Sequence, residues 1–263
     1  AGNTVLGESA LDASVSGENN TAIGKAALGA LTSAAHCTAV GAFALDANTT
    51  GNSNTGLGRN ALGANISGAA NTAVGALALE ANSTGAQNTA VGALALDDNT
   101  TADNNTAVGY NSLGLNTTGD SNVAVGHNSL DANTTGGNNT GLGQRALTSN
   151  TTASNNTAVG TNSLGSNTSG TQNVAVGAFA LDANTTANSN TAVGYFALTL
   201  ATTGESNTAV GDRACEDLTT ASNVTALGTQ ALANNTTGDS NTSLGMQSLF
   251  INTTGARNVA VGK

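Results

Sequence analysis

The sequence predicts an all-β chain folded as a parallel β-solenoid, or β-roll, with 17 residues per coil and about 15 coils. Three observations predict it. A phrase close to N-T-A-V-G-x-x-A-L-x-x-N-T-T-G-x-x starts at residues 3, 20, 37, 54, 71, 88, 105, 122, 139, 156, 173, 190, 207, 224, 241 and 258, with no insertion or deletion between copies. The fifth place of the phrase is Gly in all sixteen copies. The apolar places show no sustained three-to-four spacing, so a helix in each repeat is not expected.

The repeat also sets the domain organisation. A length of 263 residues would suggest two globular domains. Nothing in the sequence marks a boundary or a linker, so residues 1–263 read as a single continuous repeat domain.

Places are numbered 1 to 17 from residue 3. Places 1 to 5 read as a strand ending at a bend. In a strand, places 2 and 4 share one face and places 1, 3 and 5 the other. Place 4 is always Val, Leu or Ile, and place 2 is Thr thirteen times and Val three times. The exchange of Thr for Val suggests a dry neighbour, so places 2, 4 and 9 are expected to point inward. The expected core therefore holds Val74, Leu79, Val91, Leu96, Val108 and Leu113, with Cys215 in a Leu place. Gly75, Gly92 and Gly109 at place 5 mark a bend that a Cβ would obstruct. Places 12 to 15, usually N-T-T-G, read as a second turn-and-strand segment, giving two or three short strands per coil. Asn at place 1 (Asn71, Asn88, Asn105) and at place 12 (Asn82, Asn99, Asn116) would stack on its own copies, hydrogen-bonding from coil to coil.

Places 3, 5 and 8 are Ala, Gly or Ser nearly throughout. As an outward face of small residues they would let another backbone come close. Three aliphatic side chains per coil bury little apolar surface for seventeen ordered residues, so the expectation is self-association, three rods side by side.

Charge is sparse and phased. The net charge is −10 with only six Lys and Arg, and charged residues make up 8%, which argues against nucleic acid. No apolar run approaches a membrane span. Five of the six basic residues fall at places 6 or 7 and nine of sixteen acids at places 10 or 11, the expected solvent edges. Phe43, Tyr110, Phe179, Tyr195 and Phe196 share places 6 and 7. They are candidates for contact with a receptor or glycan, or for filling grooves between chains. Cys37 and Cys215 are ten coils apart, far beyond disulfide reach in one rod. Cys215 reads as core and Cys37 as a ladder substitution, with an interchain contact through Cys37 as the alternative.

Chemistry is not indicated. His36 and His127 sit at different places, no nucleophile–base pair is implied, and no CxxC, HExxH or phosphate-binding glycine loop occurs. No catalytic residue, cofactor or metal is expected. The acids look like a surface row, with no concave aromatic-lined site for a glycosidase.

The phrase N-T-A-V-G-x-x-A-L, intact at 71–79 and 88–96, resembles the head repeats of YadA-type trimeric autotransporter adhesins. It is still closer to the N-T-A-V-G-Y-Q-A-L-type repeats of phage tail fibres and large bacterial surface proteins, with Asn105–Leu113 the nearest copy. The resemblance covers essentially the whole chain. It implies a left-handed coil, three chains to a fibre, and a place outside the cell, on a cell surface or on a virion. The function it implies is a non-enzymatic spacer or adhesive shaft. The stalk, anchor and terminal domains of that family are not represented in these residues. The sequence opens on Ala rather than Met, which suits a processed chain and a fragment equally. The repeat stops inside a coil at Lys263 without an obvious cap. Bare edges recruit further strands, so an end-to-end filament is one alternative. A Thr array at places 2, 13 and 14 for ice binding is another; against it, place 2 is expected inward, and places 13 and 14 are adjacent, so in a strand their side chains face opposite ways.

Overall fold

The computed structural model describes residues 2–13 and 15–263. The chain divides into two compact units, Ala1–Thr135 and Gly136–Lys263. Each is a parallel β-solenoid with 17-residue spacing; the chain makes about 15 turns in all, with no helix among the described residues.

Unit 1 carries β1 (Thr4–Leu6), β2 (Thr21–Ile23), β3 (Thr38–Val40), β4 (Thr55–Leu57), β5 (Thr72–Val74), β6 (Thr89–Val91), β7 (Thr106–Val108) and β8 (Val123–Val125). Unit 2 carries β9 (Thr140–Leu142), β10 (Thr157–Val159), β11 (Val174–Val176), β12 (Thr191–Val193), β13 (Thr208–Val210), β14 (Thr225–Leu227), β15 (Thr242–Leu244) and β16 (Val259–Val261). Within each unit successive strands pair in parallel and without slippage. Thr72, Ala73 and Val74 lie beside Thr89, Ala90 and Val91, and Thr157, Ala158 and Val159 beside Val174, Ala175 and Val176.

Each coil holds one strand of three residues, where two or three strands were expected. The remaining residues form turns of another kind. Place 5 is Gly with φ between 122° and 143°, and places 7, 9 and 17 also have positive φ in every coil. Bonds from place 8 to 5 and from 12 to 9 close turns in most coils, and a bond from 10 to 7 closes a third turn between them in some, as in Ala27 N–H to Gly24 O at 3.3 Å, Gly29 to Ala26 at 3.2 Å and Leu31 to Leu28 at 3.3 Å. The N–H groups between them bond to adjacent coils, Ala26 to Glu8 O one way and Leu28 to Ala44 O the other. Every turn is thus also a rung. Leu at place 9 holds φ of 49° to 55°, a conformation costing ~1–2 kcal/mol for an L-residue. Burial of its side chain, complete from Leu28 to Leu232 and worth ~1.5–3 kcal/mol, offsets that cost.

Place 5 requires Gly for two reasons. Its φ lies where L side chains are strained, and a Cβ on Gly92 would stand 2.4 Å from the carbonyl oxygen of Gly109 in the next coil. Gly75 and Gly109 meet the same obstruction, at 2.5 and 2.6 Å.

The faces of the strand are opposite to those expected. Ala73, Ala90 and Ala107 at place 3 are fully buried, as are Ala78 and Ala95 at place 8. Val74 and Val108 at place 4 are half-buried and Val91 is 36% exposed. Places 3 and 8 are therefore core, and places 2 and 4 face out. The reason is the thinness of the coil. At Gly56, which stands at place 3, an added Cβ would lie 3.0 Å from Ala61 O and 3.4 Å from Leu45 Cγ. A methyl group fills that gap; a Val would not fit. Leu79, Leu96, Leu113 and Cys215 are fully buried. The Ala and Ser side chains of places 3 and 8 are thus enclosed and offer no smooth outward face to another chain.

The rest of the interior is amide. At place 12, Asn82 Nδ2 donates to Asn65 Oδ1, Asn99 to Asn82 and Asn116 to Asn99, at 2.8, 2.8 and 3.1 Å. At place 1 the ladder is mixed: the backbone N–H groups of Asn71, Asn88 and Asn105 donate to the side-chain oxygens of Asn54, Asn71 and Asn88, each at 2.9 Å. Amide groups of both ladders converge on the carbonyl at place 15, Asn71 and Asn82 on Gly85 O at 2.8 and 2.9 Å. Buried polar groups so paired cost little.

Interruptions in the two ladders coincide. Asn48 and Asn54 share the Gly51 carbonyl, at 3.0 and 3.1 Å. One coil earlier the equivalent pair is Leu31 and Cys37; near the end of unit 2 it is Leu218 and Val224, all fully buried. An amide opposite a Leu would lose that shared environment, so both members turn apolar together. At Ala201 one change stands alone, beside a stranded polar atom; Asn105 Nδ2 is stranded as well, with every ladder neighbour an Asn. Asn184 Oδ1 is buried without a hydrogen-bond partner, and the residue one coil on, which would offer the next amide, is Ala201.

Candidate binding surfaces

The outward residues of the strands make the first surface. In each unit, β-branched and aliphatic side chains at places 2 and 4 stand in two columns on in-register strands. Val125 is 38% exposed in unit 1, and Val210 and Leu227 are 37% exposed in unit 2. The Thr hydroxyls of place 2 make no hydrogen bond within the described chain, whereas those of place 13 are engaged, as in Thr49 Oγ1 to Ile66 O at 3.0 Å and Thr117 Oγ1 to Thr134 O at 2.9 Å.

A second surface is formed by places 6, 7, 10 and 11. The columns bring some of the aromatic candidates together. Phe179 and Phe196, one coil apart at place 7, stack at 5.0 Å between centroids and 13° between planes. Tyr195 meets Phe196 edge-on at 4.3 Å, and the guanidinium of Arg213 lies 6.0 Å from the Phe196 ring. Tyr110 stacks on His127 at 5.5 Å. Phe43 belongs to neither cluster; it is 40% exposed and walls a recess of about 500 Å³ with Asp46, Arg59, Asn60, Gly63 and Glu80. No protein-family model matches this chain, and no curated protein does. The chemistry of these surfaces therefore carries the functional argument.

The recess corrects the expectation that the acids form only a surface row with no aromatic-lined concavity. Its origin is legible in retrospect. The four glycines at place 10, Gly29, Gly63, Gly114 and Gly165, are each followed one coil later by an acid: Asp46, Glu80, Asp131 and Asp182. At Gly29 and Gly165 the missing side chain leaves room for the next carboxylate to lean back. A Cβ on Gly29 would meet Asp46 Oδ1 at 2.5 Å, and one on Gly165 would meet Asp182 Oδ1 at 2.6 Å. Glu80 leans further and accepts a hydrogen bond from Asn60 Nδ2 at 2.6 Å. Burial raises the pKa of Asp46. It raises that of Asp182 as well, against the pull of Arg145.

Other charges are arranged modestly. Lys25 Nζ lies 3.5 Å from Glu8 Oε2 and Arg213 Nε 4.0 Å from Glu216 Oε1. Such exposed pairs contribute ~0–1 kcal/mol. Asp97 is half-buried beside Glu80 and Asp98. Desolvation, then those two charges, push its pKa up to about 6.

Both cysteines are free and fully buried. Cys37 Sγ lies 3.3 Å from Gly51 O and 3.8 Å from Asn48 Nδ2, where the ladder amide would be, and burial raises its pKa. That placement overturns the interchain contact through Cys37. Burial pushes the Cys215 thiol up to about 12. Among the described residues no group of three or more His, Cys, Asp and Glu side chains could hold a metal ion, and no helix is long and apolar enough to cross a membrane.

Proposed function

We propose that the chain is a non-enzymatic structural segment of an extracellular fibre, on a cell surface or a virion, in which three copies bury their Thr/Val sheet faces against one another. The observation that carries this reading is the pair of outward columns at places 2 and 4. A run of exposed aliphatic groups on a regular surface marks an interaction site, and a surface that repeats along its length suits a partner that repeats in the same way. Three chains and a left-handed coil follow the resemblance of Asn105–Leu113 to fibre and adhesin repeats. The test is sedimentation of the whole chain beside a Val74→Glu, Val91→Glu, Val108→Glu variant. These side chains leave the coil interior untouched, so the variant keeps its circular dichroism. The expected result is a trimer for the parent and a monomer for the variant; a monomeric parent would overturn the reading.

One observation favours a second reading, ice binding. The outward turn of place 2 removes one of the two grounds on which the sequence weighed against it, and in each unit the Thr side chains of place 2 stand on that outward face. The two readings compete for one surface. A monomer showing thermal hysteresis that is lost on Thr72→Glu, Thr89→Glu substitution would favour ice over the fibre.

A further inference from the structure

The recess around Gly63 spans three successive coils of unit 1, and its lining is chemically mixed. Phe43 offers an exposed ring face, and Asp46 and Glu80 offer carboxylate acceptors. Arg59 offers donors, and Asn60 offers an amide already oriented by its bond to Glu80. The volume of about 500 Å³ lies within the range of small-molecule sites. A second recess, of about 240 Å³, repeats the plan in unit 2 with Arg145, Asn162, Gly165 and Asp182, but without an aromatic wall. Asn at place 7 with Gly at place 10, followed by a carboxylate at place 10 of the next coil, is thus a recurrent way of opening this surface. Phe43 adds to the unit 1 copy a hydrophobic plane that the unit 2 copy lacks.

The lining narrows the class of occupant. Two carboxylates against one guanidinium disfavour a phosphate or another anion. A single ring with a polar rim is too little apolar surface for a lipid tail. A pyranose fits both halves: its C–H face packs on an aromatic plane, and its hydroxyls donate to carboxylates and accept from amide and guanidinium groups. Charged acceptors make the stronger hydrogen bonds.

We propose that the Phe43–Glu80 recess binds a neutral pyranose sugar, as a monosaccharide or the end of a glycan. The site lies within one chain and goes beyond the fibre reading, since it needs no partner copy. One aromatic plane and a few hydrogen bonds in an open recess correspond to a Kd on the order of 1 mM.

Saturation-transfer difference NMR on the full chain tests this, with the methyl pyranosides of glucose, galactose, mannose and N-acetylglucosamine as probes. Two variants use residues that other coils already carry at the same places. Phe43→Leu follows Leu77 and Leu94, and Gly63→Thr follows Thr148 and Thr199. Arg213→Gln, which follows Gln230, is the remote control. The expected result is saturation of the ring C–H protons of at least one probe by the parent chain and by the control. Phe43→Leu and Gly63→Thr should each weaken binding at least tenfold. No transfer to any of the four probes in the parent chain overturns the proposal, as does transfer that survives both recess variants. The Val-to-Glu face variant should retain the sugar signal whether or not it has lost the trimer, which keeps the two proposals separable.

Discussion

Backbone conformation, more than side-chain chemistry, decides which residues this coil accepts. Place 5 tolerates Gly alone, because strain and collision act together there. Gly92→Ala is expected to cost at least ~3 kcal/mol, seen as a large fall in the midpoint of thermal unfolding. Place 15 is less strict: a Cβ on Gly85 would also stand 2.4 Å from a carbonyl oxygen, that of Ala102, but Gly85 does not have the positive φ of place 5 and Ala102, Ala153, Ala187 and Ala221 already occupy place 15, so Gly85→Ala should be milder. Places 7 and 17 present the opposite case, side chains held at positive φ that would be easier for Gly. Gln87 is exposed with φ of 59°. Gln87→Gly should raise stability by ~0.5–1 kcal/mol, the relief of left-handed strain less the entropy of a freer unfolded chain. Asp97 gives a pH signature. Its pKa of about 6 stands above the ordinary 3.8, so the folded state holds the proton more tightly. The stability this contributes is fully present below about pH 3.8 and is lost as the pH rises to about 6. Asp97→Asn should stabilise the chain at neutral pH and flatten stability between those values, which denaturant titrations at a series of pH values would show.

A single coil is the element of this fold, and its interior is a compromise between apolar and amide columns. The paired interruptions imply coupling between place 12 of one coil and place 1 of the next. Asn99→Leu alone strands Asn82 Oδ1, which now accepts from Asn99, and should cost ~2–4 kcal/mol. Adding Asn105→Val reproduces the Leu218 and Val224 pattern. The double variant should be more stable than the sum of the single effects by ~1–2 kcal/mol, measured by a double-mutant cycle in urea. The element also shows where the sequence could be read and where it could not. The Asn columns and the bend glycines could be read, because side-chain identity is itself the constraint there. From sequence the strand faces come out reversed, because Thr exchanging with Val resembles a dry site. Two neighbouring outward columns of β-branched residues satisfy the same pattern, and Ala at place 3 is small because it is enclosed, not because something must approach from outside. The successive turns at places 5 to 12 left no propensity signal, since Leu is a poor former of left-handed backbone. The recess was hidden in a pairing seventeen residues apart, Gly63 with Glu80, that consensus averaging erases.

For the molecule as a whole, every strand in a unit touches only the strands before and after it in sequence. Stability is then close to a sum of coil and neighbour terms. Removing residues 71–87, one complete repeat, should leave a folded chain with unchanged circular dichroism per residue and a slightly lower melting point. Removing residues 71–79 shifts every later place against its neighbour and should abolish cooperative unfolding, since register in such a sheet is all or none. The buried Asn columns also bear on chemical ageing. Hydrolysis of a side-chain amide requires the following backbone nitrogen to swing onto it. After Asn99 that nitrogen, on Thr100, is tied to Thr117 O at 3.1 Å. A carboxylate in place of Asn99 would also have no proton for Asn82 Oδ1. The nitrogen after solvent-facing Asn104 is tied too, to Asn88 Oδ1 at 2.9 Å. Prolonged mildly alkaline incubation followed by peptide mapping should find no new Asp at Asn82, Asn99, Asn104 or Asn116 in the native chain, and new Asp at all four when the same incubation is made in denaturant, so a chain rich in the residue most prone to spontaneous decay would keep those columns intact for as long as it stays folded.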